Sequence, residues 1–377
     1  MLDIVLSHHP KAKRMTYGSG AGTVTVTSRS GLNFTEKVLL EQSESWSGGA
    51  KVLVVENRTA VLGLSYKHLF PESEILQHSQ DDFYHQKLQG IIERQVDLEG
   101  ELTLSCSPDL PGEMGGVNEA FLQVSQSLSA EMTAEYLQQI HQRLCLGGRL
   151  WLGVEKQHRS AAAQVKKVFG SVTEKRYRFG CVLVAKKKEE LKKVKQYQCE
   201  FELPLGEAGC LSIKTRPGVF SHRRADGGAL ALLDVVSIAE HDRVFEMGCG
   251  SGLVALGLQK RTPSCKLFLL DSNTRAVECA QLNAASNGCP EPQVECSSRG
   301  WPREESFDVF IGNPPYFGDH QISGLFIDTA AQRLVSGGTM WLVAKSMDWN
   351  VEHAKSDFEI CELIARRGYV VMKARRR

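Results

Sequence analysis

A surplus of one charge sign is the first thing this sequence lacks. Its 45 Lys and Arg stand against 44 Asp and Glu over 377 residues, a formal charge of +1. Attraction of the whole molecule to a polyanion is therefore excluded as a source of affinity, and any grip on nucleic acid has to come from local patches. Long hydrophobic runs are also missing: none approaches the roughly 18 residues that cross a bilayer. The opening MLDIVLSHHPKAKR has no cationic segment leading into an apolar one, so no secretory signal is expected. There are eleven cysteines, but no C-x-x-C pair and no histidines at zinc spacing, which argues against a disulfide framework or a metal site. A cytoplasmic protein without membrane or metal is the expectation.

What is present is ordinary globular composition, 42% hydrophobic and 24% charged, in a chain long enough for two cores. The two halves resemble each other. KVLVVENRTAVLGLSYKHLFPESEILQHS (Lys51 to Ser79) lies without gaps on RVFEMGCGSGLVALGLQKRTPSCKLFLLD (Arg243 to Asp271), with strand, helix and strand in phase. LCLGGRLWLGVEK (from Leu144) matches LVSGGTMWLVAK (from Leu334), and the two tails correspond more loosely. One α/β unit occurs twice. Between the copies, AKKKEELKKVKQYQ (Ala185 to Gln198) is charged and poor in apolar residues, and reads as a linker or a solvated helix end. Domains of 1–195 and 196–377 follow.

In the second copy, periodicity predicts helices over 227–237, 251–259, 274–286 and 325–334. Strands are predicted over 243–247, 266–270, 293–296, 307–311 and 339–344. Strands alternating with helices imply a parallel sheet covered on both faces, with ligands bound beyond the carboxyl ends of the strands. Gly248, Gly250 and Gly252 of FEMGCGSG fall at the first strand-to-helix turn. There, backbone amides can approach a ligand closely, although a tight structural turn uses the same residues. Asp271 ends the next strand, where a carboxylate can accept from two ribose hydroxyls, or stand simply as a surface acid. The G-x-G-x-G spacing leaves open a dinucleotide or a compact nucleoside such as S-adenosylmethionine. After the fourth strand comes IGNPPYFG: Asn313, two prolines, then Tyr316 and Phe317. Proline fixes φ and carries no N–H, so the strand must end there in a stiff corner offering carbonyls and an amide. The first copy has ENRTA and SPDLPGE at the matching places and Ser79 for Asp271, so it is read as folded but degenerate, without cofactor.

With GCGSG after the first strand and IGNPPY after the fourth, the second copy resembles the class I S-adenosylmethionine-dependent methyltransferases that modify exocyclic amines. RPGVFSHRRADGGALALL (from Arg216), together with a degenerate amino-terminal duplicate, is similar more narrowly to the bacterial ribosomal small-subunit RNA guanine-N2 methyltransferases. The resemblance implies two tandem Rossmann-like domains. It also implies transfer of a methyl group to the N2 amine of a guanine in ribosomal RNA, with the first domain positioning RNA or supporting the fold, in a monomer. In it Phe220 packs near the methionine part of the cofactor, Glu246 and the three glycines hold the amino-acid end, and Asp271 holds the ribose. Asn313 and Pro314 receive the amine and Tyr316 stacks on the base. The family often has Phe where Tyr316 stands, and a tyrosine there also occurs in enzymes acting on adenine N6 or a protein glutamine amide. Those acceptors, and a non-catalytic RNA-binding assembly factor, are the competing readings. His222, Arg223 and Arg224, the RRGY stretch (366–369) and the terminal KARRR are basic and suited to RNA phosphate or to solvent alike.

Overall fold

The computed structural model describes residues 2–5, 14–17, 22–25, 31–56, 58–93, 102–112, 115–125, 128–315 and 320–377. It divides into two compact units, Met1–Tyr197 and Gln198–Arg377. The first begins with short strands β1 (Leu2–Val5), β2 (Arg14–Tyr17) and β3 (Gly22–Thr25), joined in the order β2-β1-β3. Then follow α1 (Phe34–Leu40), β4 (Lys51–Val55), α2 (Val61–Leu69), β5 (Glu74–Ser79), α3 (Asp82–Ile92) and β6 (Leu102–Cys106). The unit continues with β7 (Val117–Val124), α4 (Ala130–Arg143), β8 (Leu144–Glu155), α5 (Ala161–Phe169), β9 (Thr173–Tyr177) and β10 (Gly180–Lys186). Its main sheet has the order β6-β5-β4-β7-β8-β10-β9, in which β10 runs antiparallel to both its neighbours.

The second unit starts with a hairpin, β11 (Cys199–Pro204) and β12 (Cys210–Thr215), followed by α6 (Gly227–Val235), β13 (Arg243–Met247), α7 (Leu253–Arg261) and β14 (Lys266–Asp271). Next come α8 (Thr274–Ser286), β15 (Gln293–Cys296), β16 (Phe307–Gly312), α9 (Gln321–Arg333) and β17 (Leu334–Ala344). The unit closes with α10 (Asp348–Ala354), β18 (Phe358–Arg366) and β19 (Tyr369–Arg376). The order β15-β14-β13-β16-β17-β19-β18 reproduces the first sheet strand for strand. This is the α/β, doubly wound, mostly parallel architecture predicted, present twice.

Alternation along each strand feeds two cores, as a strand buried on both faces requires. Val244, Leu269 and Ile311 join α6, α7 and α8 on one face of the second sheet. Phe245, Leu270 and Phe310 join α9 and α10 on the other. Helix α7 starts two residues later than predicted because Gly252, at φ 77°, is its left-handed N-cap. Helix α9 starts earlier, at Gln321, and β17 begins directly after it at Leu334. The hairpin β11–β12 was not predicted at all. Side-chain amides bind it to α8: Asn283 accepts from the Lys214 N–H (2.8 Å) and donates to its carbonyl (2.9 Å), and Asn287 does the same at Ser212 (2.9 and 2.7 Å).

The lysine-rich run is only partly a linker. Its first two residues belong to β10, and Lys187 is buried, donating to the Leu144 carbonyl at 2.9 Å and pairing with Glu190 at 2.8 Å. Lys195 is held to Gln138 of α4 by hydrogen bonds of 2.7 and 3.1 Å. Among the described residues no helix is long and apolar enough to cross a membrane. Nor do they contain a cluster of three or more His, Cys, Asp or Glu able to hold a metal.

Candidate active site

Register brings the chemistry-bearing positions into one row. Met247 of β13 pairs with Leu270 of β14 on one side and with Gly312 of β16 on the other. The next residues along, Asp271, Gly248 and Asn313, therefore emerge side by side at the carboxyl edge, on strands about 4.8 Å apart. Between β13 and β16 the chain's winding reverses direction, which opens the crevice where doubly wound sheets take their ligands.

The turn after β13 is a run of left-handed glycines: φ is 70° at Gly248, 55° at Gly250 and 77° at Gly252. Their reasons differ. A Cβ on Gly248 would stand 3.0 Å from the Phe326 ring, and one on Gly252 would lie 3.2 to 3.4 Å from Leu256 and Ala280. Nothing lies within 4 Å of a Cβ on Gly250, so the backbone there is open to an approaching ligand. The N–H groups of Gly248 and Cys249 donate to the Leu270 carbonyl (2.8 and 3.0 Å), tying the turn to β14. Asp271 closes the tie, its Oδ2 accepting from Gly250 N–H and its Oδ1 from Asn273 N–H, both at 2.9 Å. This carboxylate has a fixed direction at the mouth of the crevice.

Glu246 lies beneath the turn, only 4% exposed, with Oε2 accepting from the Ala255 N–H in the first turn of α7 at 3.0 Å. Burial raises its pKa to about 8, with the nearby Asp271 charge adding a smaller push in the same direction. Cys249 is buried as well, and burial carries its thiol well above the usual range. It is a small filler of the turn and is not activated as a nucleophile.

The PGVFS loop is pinned over the start of α8. The fully buried Arg275 donates from Nη1 to the Pro217 carbonyl (2.7 Å), Asn273 donates from Nδ2 to the Gly218 carbonyl (3.0 Å), and Arg216 pairs with Glu278 (2.6 Å). Val219 packs on Ala276 and Cys279, which leaves the neighbouring Phe220 ring 65% exposed. Phe220 thus sits on the loop that borders Asp271, with its ring turned to solvent.

Asn313 and Pro314 follow directly after β16, Asn313 half-buried and Pro314 buried. The Asn313 Nδ2 donates to Asp226 Oδ2 at 2.9 Å. The same oxygen caps α6, accepting from the N–H of Gly228 at 2.8 Å and of Ala229 at 3.1 Å. Gly228 makes room for this arrangement, since a Cβ on it would come within 2.9 Å of Asn313 Oδ1 and 3.2 Å of Nδ2. Tyr316 and Phe317 lie outside the described residues. Sequence reading passed over Asp226. Its D-G-G before an apolar run is a legible helix cap, but a partner 87 residues away leaves no local signal.

Of the basic candidates, Arg366 and Arg367 both direct Nε to Asp234 Oδ2 at 2.7 Å, so a single carboxylate offsets one of their two positive charges. The His222 ring is bonded to Thr215 Oγ1 through Nδ1 at 2.7 Å. A hollow of about 530 Å³ bounded by Asp242, Asp308, Thr339 and Lys373 opens at the other, amino-terminal edge of the sheet and includes no member of the row.

In the first unit the corresponding turn keeps left-handed backbone at its two ends, without glycine at either. Glu56 and Ala60 adopt φ of 57° and 61°, and Ala60 caps α2 as Gly252 caps α7. The Glu56 carboxyl, raised in pKa by burial, accepts from the Tyr136 hydroxyl at 2.8 Å. It stands where Gly248 of the second unit carries only a hydrogen.

The chain is similar in sequence and fold to known proteins. Residues 210–373 match the model of the methyltransferase small domain. Ribosomal RNA small subunit methyltransferase C of Pseudomonas aeruginosa (strain LESB58) is 35% identical over 151 residues, 39% of this chain and 45% of that protein. The protein of the same name from Escherichia coli O9:H4 (strain HS) is 32% identical over 162 residues, 42% of this chain and 47% of the relative. The matched stretch thus spans about half the length of these relatives. Among solved structures, the T. thermophilus 16S rRNA N2 methyltransferase RsmC, in complex with AdoMet and guanosine, superposes with a TM-score of 0.75. That alignment has 17% identity and covers 100% of this chain and 98% of the other. It establishes the two-unit fold over the full length.

Proposed function

We propose, from the match of residues 210–373 to the methyltransferase small domain, that this chain transfers a methyl group from S-adenosylmethionine to the exocyclic N2 amine of a guanine in small-subunit ribosomal RNA. The observation that carries the reading is the row at the carboxyl edge. A glycine turn open at Gly250 and a clamped acceptor at Asp271 stand beside an amide, Asn313, whose NH₂ end is already held by a carboxylate. The names of the partial relatives support small-subunit ribosomal RNA as the substrate, and the name of the structural neighbour, an N2 methyltransferase holding guanosine, supports the amine.

The residues fit the cofactor. Asp271 presents a carboxylate to two ribose hydroxyls, the Gly248–Gly252 turn admits close approach, Glu246 lies below the amino-acid end, and Phe220 offers an apolar ring beside it. When bound, S-adenosylmethionine supplies an electrophilic methyl group on a positively charged sulfur. The protein's own task is alignment of the acceptor, a contribution worth up to about 7 to 11 kcal/mol in well-oriented reactions. A guanine amine is a poor nucleophile because its lone pair is delocalised into the ring. The Asn313 side-chain carbonyl and the Pro314 main-chain carbonyl accept its two N–H groups, hold it against the crevice and favour a pyramidal, more nucleophilic nitrogen. Tyr316 stacks on the base once it is swung out of the folded RNA. No general-base residue and no metal is required.

The first unit, 1–195, serves RNA positioning or structural support without cofactor. Glu56 in the Gly248 position and Ser79 in the Asp271 position support this assignment. The protein acts in the cytoplasm as a monomer, on ribosomal RNA or the assembled small subunit. The test is methylation of ribosomal RNA with isotopically labelled S-adenosylmethionine, followed by digestion and separation of nucleosides. Label in N2-methylguanosine is the expected result. Label in N6-methyladenosine, or in protein alone, overturns it.

A further inference from the structure

We infer that Asp226 is a positioning residue that sets the polarity of the acceptor amide, a role resting on the reading of Asn313 given above. An asparagine amide has two nearly isosteric ends, one donating and one accepting, and turning it over about its last bond exchanges them. Only one orientation is useful to an amine that must give up its protons. In the other, NH₂ would face NH₂ and repel the substrate.

The structure contains the element that decides. A carboxylate oxygen accepts and does not donate, so the Asn313 end facing Asp226 Oδ2 at 2.9 Å has to be the nitrogen. The opposite end is then the carbonyl oxygen. Asp226 is itself held in place, since the same oxygen takes the N–H groups of Gly228 and Ala229 at the start of α6. A helix cap thus fixes the carboxylate, and the carboxylate fixes the amide. Gly228 completes the fit, because a side chain there would press on both Asn313 Oδ1 and Asp226 Oδ2 at 2.9 Å. A bond to an ionised acceptor is roughly twice as strong as a neutral one, which favours this orientation before any substrate arrives. It also polarises the amide so that its oxygen becomes a better acceptor as positive charge grows on the attacking nitrogen.

A plain helix cap predicts a different set of outcomes, and two substitutions separate the roles. Serine is among the preferred N-caps, so Asp226→Ser keeps the start of α6. Its hydroxyl is one atom nearer the backbone and does not also reach Asn313. Asp226→Asn keeps an acceptor oxygen at the same reach. The readouts are single-turnover methyl transfer to ribosomal RNA at saturating cofactor, the dissociation constant for S-adenosylmethionine, and the thermal midpoint. Asp226→Ser is expected to slow transfer by about 10-fold or more, with cofactor affinity unchanged and a midpoint matching that of Asp226→Asn. Asp226→Asn is expected to recover most of the lost rate. In an Asn313→Ala background, Asp226→Ser should cost nothing further.

Gly228→Ala approaches the same amide from the other side. The nearest atoms to the added methyl are side-chain ends and not backbone, so the fold survives, and transfer should again slow while cofactor binding holds. This variant decides the matter should Asp226→Ser fail to fold. A full transfer rate in Asp226→Ser, or in Gly228→Ala where that variant decides, overturns the inference, as does an equal further loss in the Asn313→Ala background. If Asn313→Ala itself turns over at the full rate, the underlying reading of the acceptor corner falls. A slow Asn313→Ala with a fast Asp226→Ser removes the role of Asp226 alone.

Discussion

Glu246 makes the stability of the second unit depend on pH in an unusual direction. The residue is 4% exposed, its carboxyl accepts from the Ala255 N–H, and burial, as the main cause, pushes its pKa up to about 8 in the folded protein. Unfolded, it returns to an ordinary value of roughly 4.3. Between those values the folded state holds a proton that the unfolded state does not, so stability falls as pH rises. The contribution is fully present below the unfolded value, declines at up to about 1.4 kcal/mol per pH unit, and is gone above the folded value. Between about pH 6 and about pH 8 the loss from this one group amounts to about 2 kcal/mol. Glu246→Gln preserves shape and the acceptor for Ala255 while removing the titration. The comparison is of denaturant midpoints, for the transition that unfolds the second unit, across that pH range. The wild type should lose about 2 kcal/mol more than Glu246→Gln. Adding S-adenosylmethionine should flatten the wild-type slope, because a cation near the carboxyl favours its ionised form. Parallel pH profiles for the two proteins would refute the assignment of a buried, protonated carboxyl.

Asp271→Ala removes a carboxylate aimed at the ribose and unties Gly250 and Asn273. Calorimetry should show S-adenosylmethionine affinity reduced by about 10² or more, because hydrogen bonds to a charged group contribute roughly 1.5–3 kcal/mol each; unchanged affinity would contradict the role. Gly248→Ala places a methyl group 3.0 Å from the Phe326 ring at a φ of 70°. It should destabilise the second unit by at least about 1–2 kcal/mol in denaturant unfolding and weaken cofactor binding as well. Removing the first unit should reduce methylation of RNA far more than cofactor affinity, and equal loss of both would mean that this unit acts only as a folding partner.

Much of the fold was legible because its signals are local or repeated. Two gapless copies of strand, helix and strand disclosed the duplication, and alternation of apolar residues located β13, β14 and β16 to within a residue. The row of Asp271, Gly248 and Asn313 followed, because each sits at the end of a strand, or one step beyond it, whose partners are dictated by the order of a doubly wound sheet. What escaped depends on pairing at a distance. The hairpin β11–β12 is held by Asn283 and Asn287, whose amides imitate a neighbouring strand, and no periodicity announces such a substitute. The arginines of RRGY read as free positive charge until Asp234 is found against them. The lysine run read as a linker or a solvated helix end, although Lys187 buries its ammonium against the Leu144 carbonyl. Asp226 was visible as a cap and invisible as the partner of Asn313, since only folding brings α6 to the end of β16.

The central claim is that the Asn313 amide oxygen receives the substrate amine opposite the bound methyl donor. It is tested most directly by single-turnover methylation of small-subunit ribosomal RNA with Asn313→Ala, alongside its affinity for S-adenosylmethionine. Transfer slowed by about 10² or more, with cofactor affinity within about twofold, is the expected result. Transfer at the wild-type rate, or a loss explained wholly by weaker cofactor binding, would contradict it.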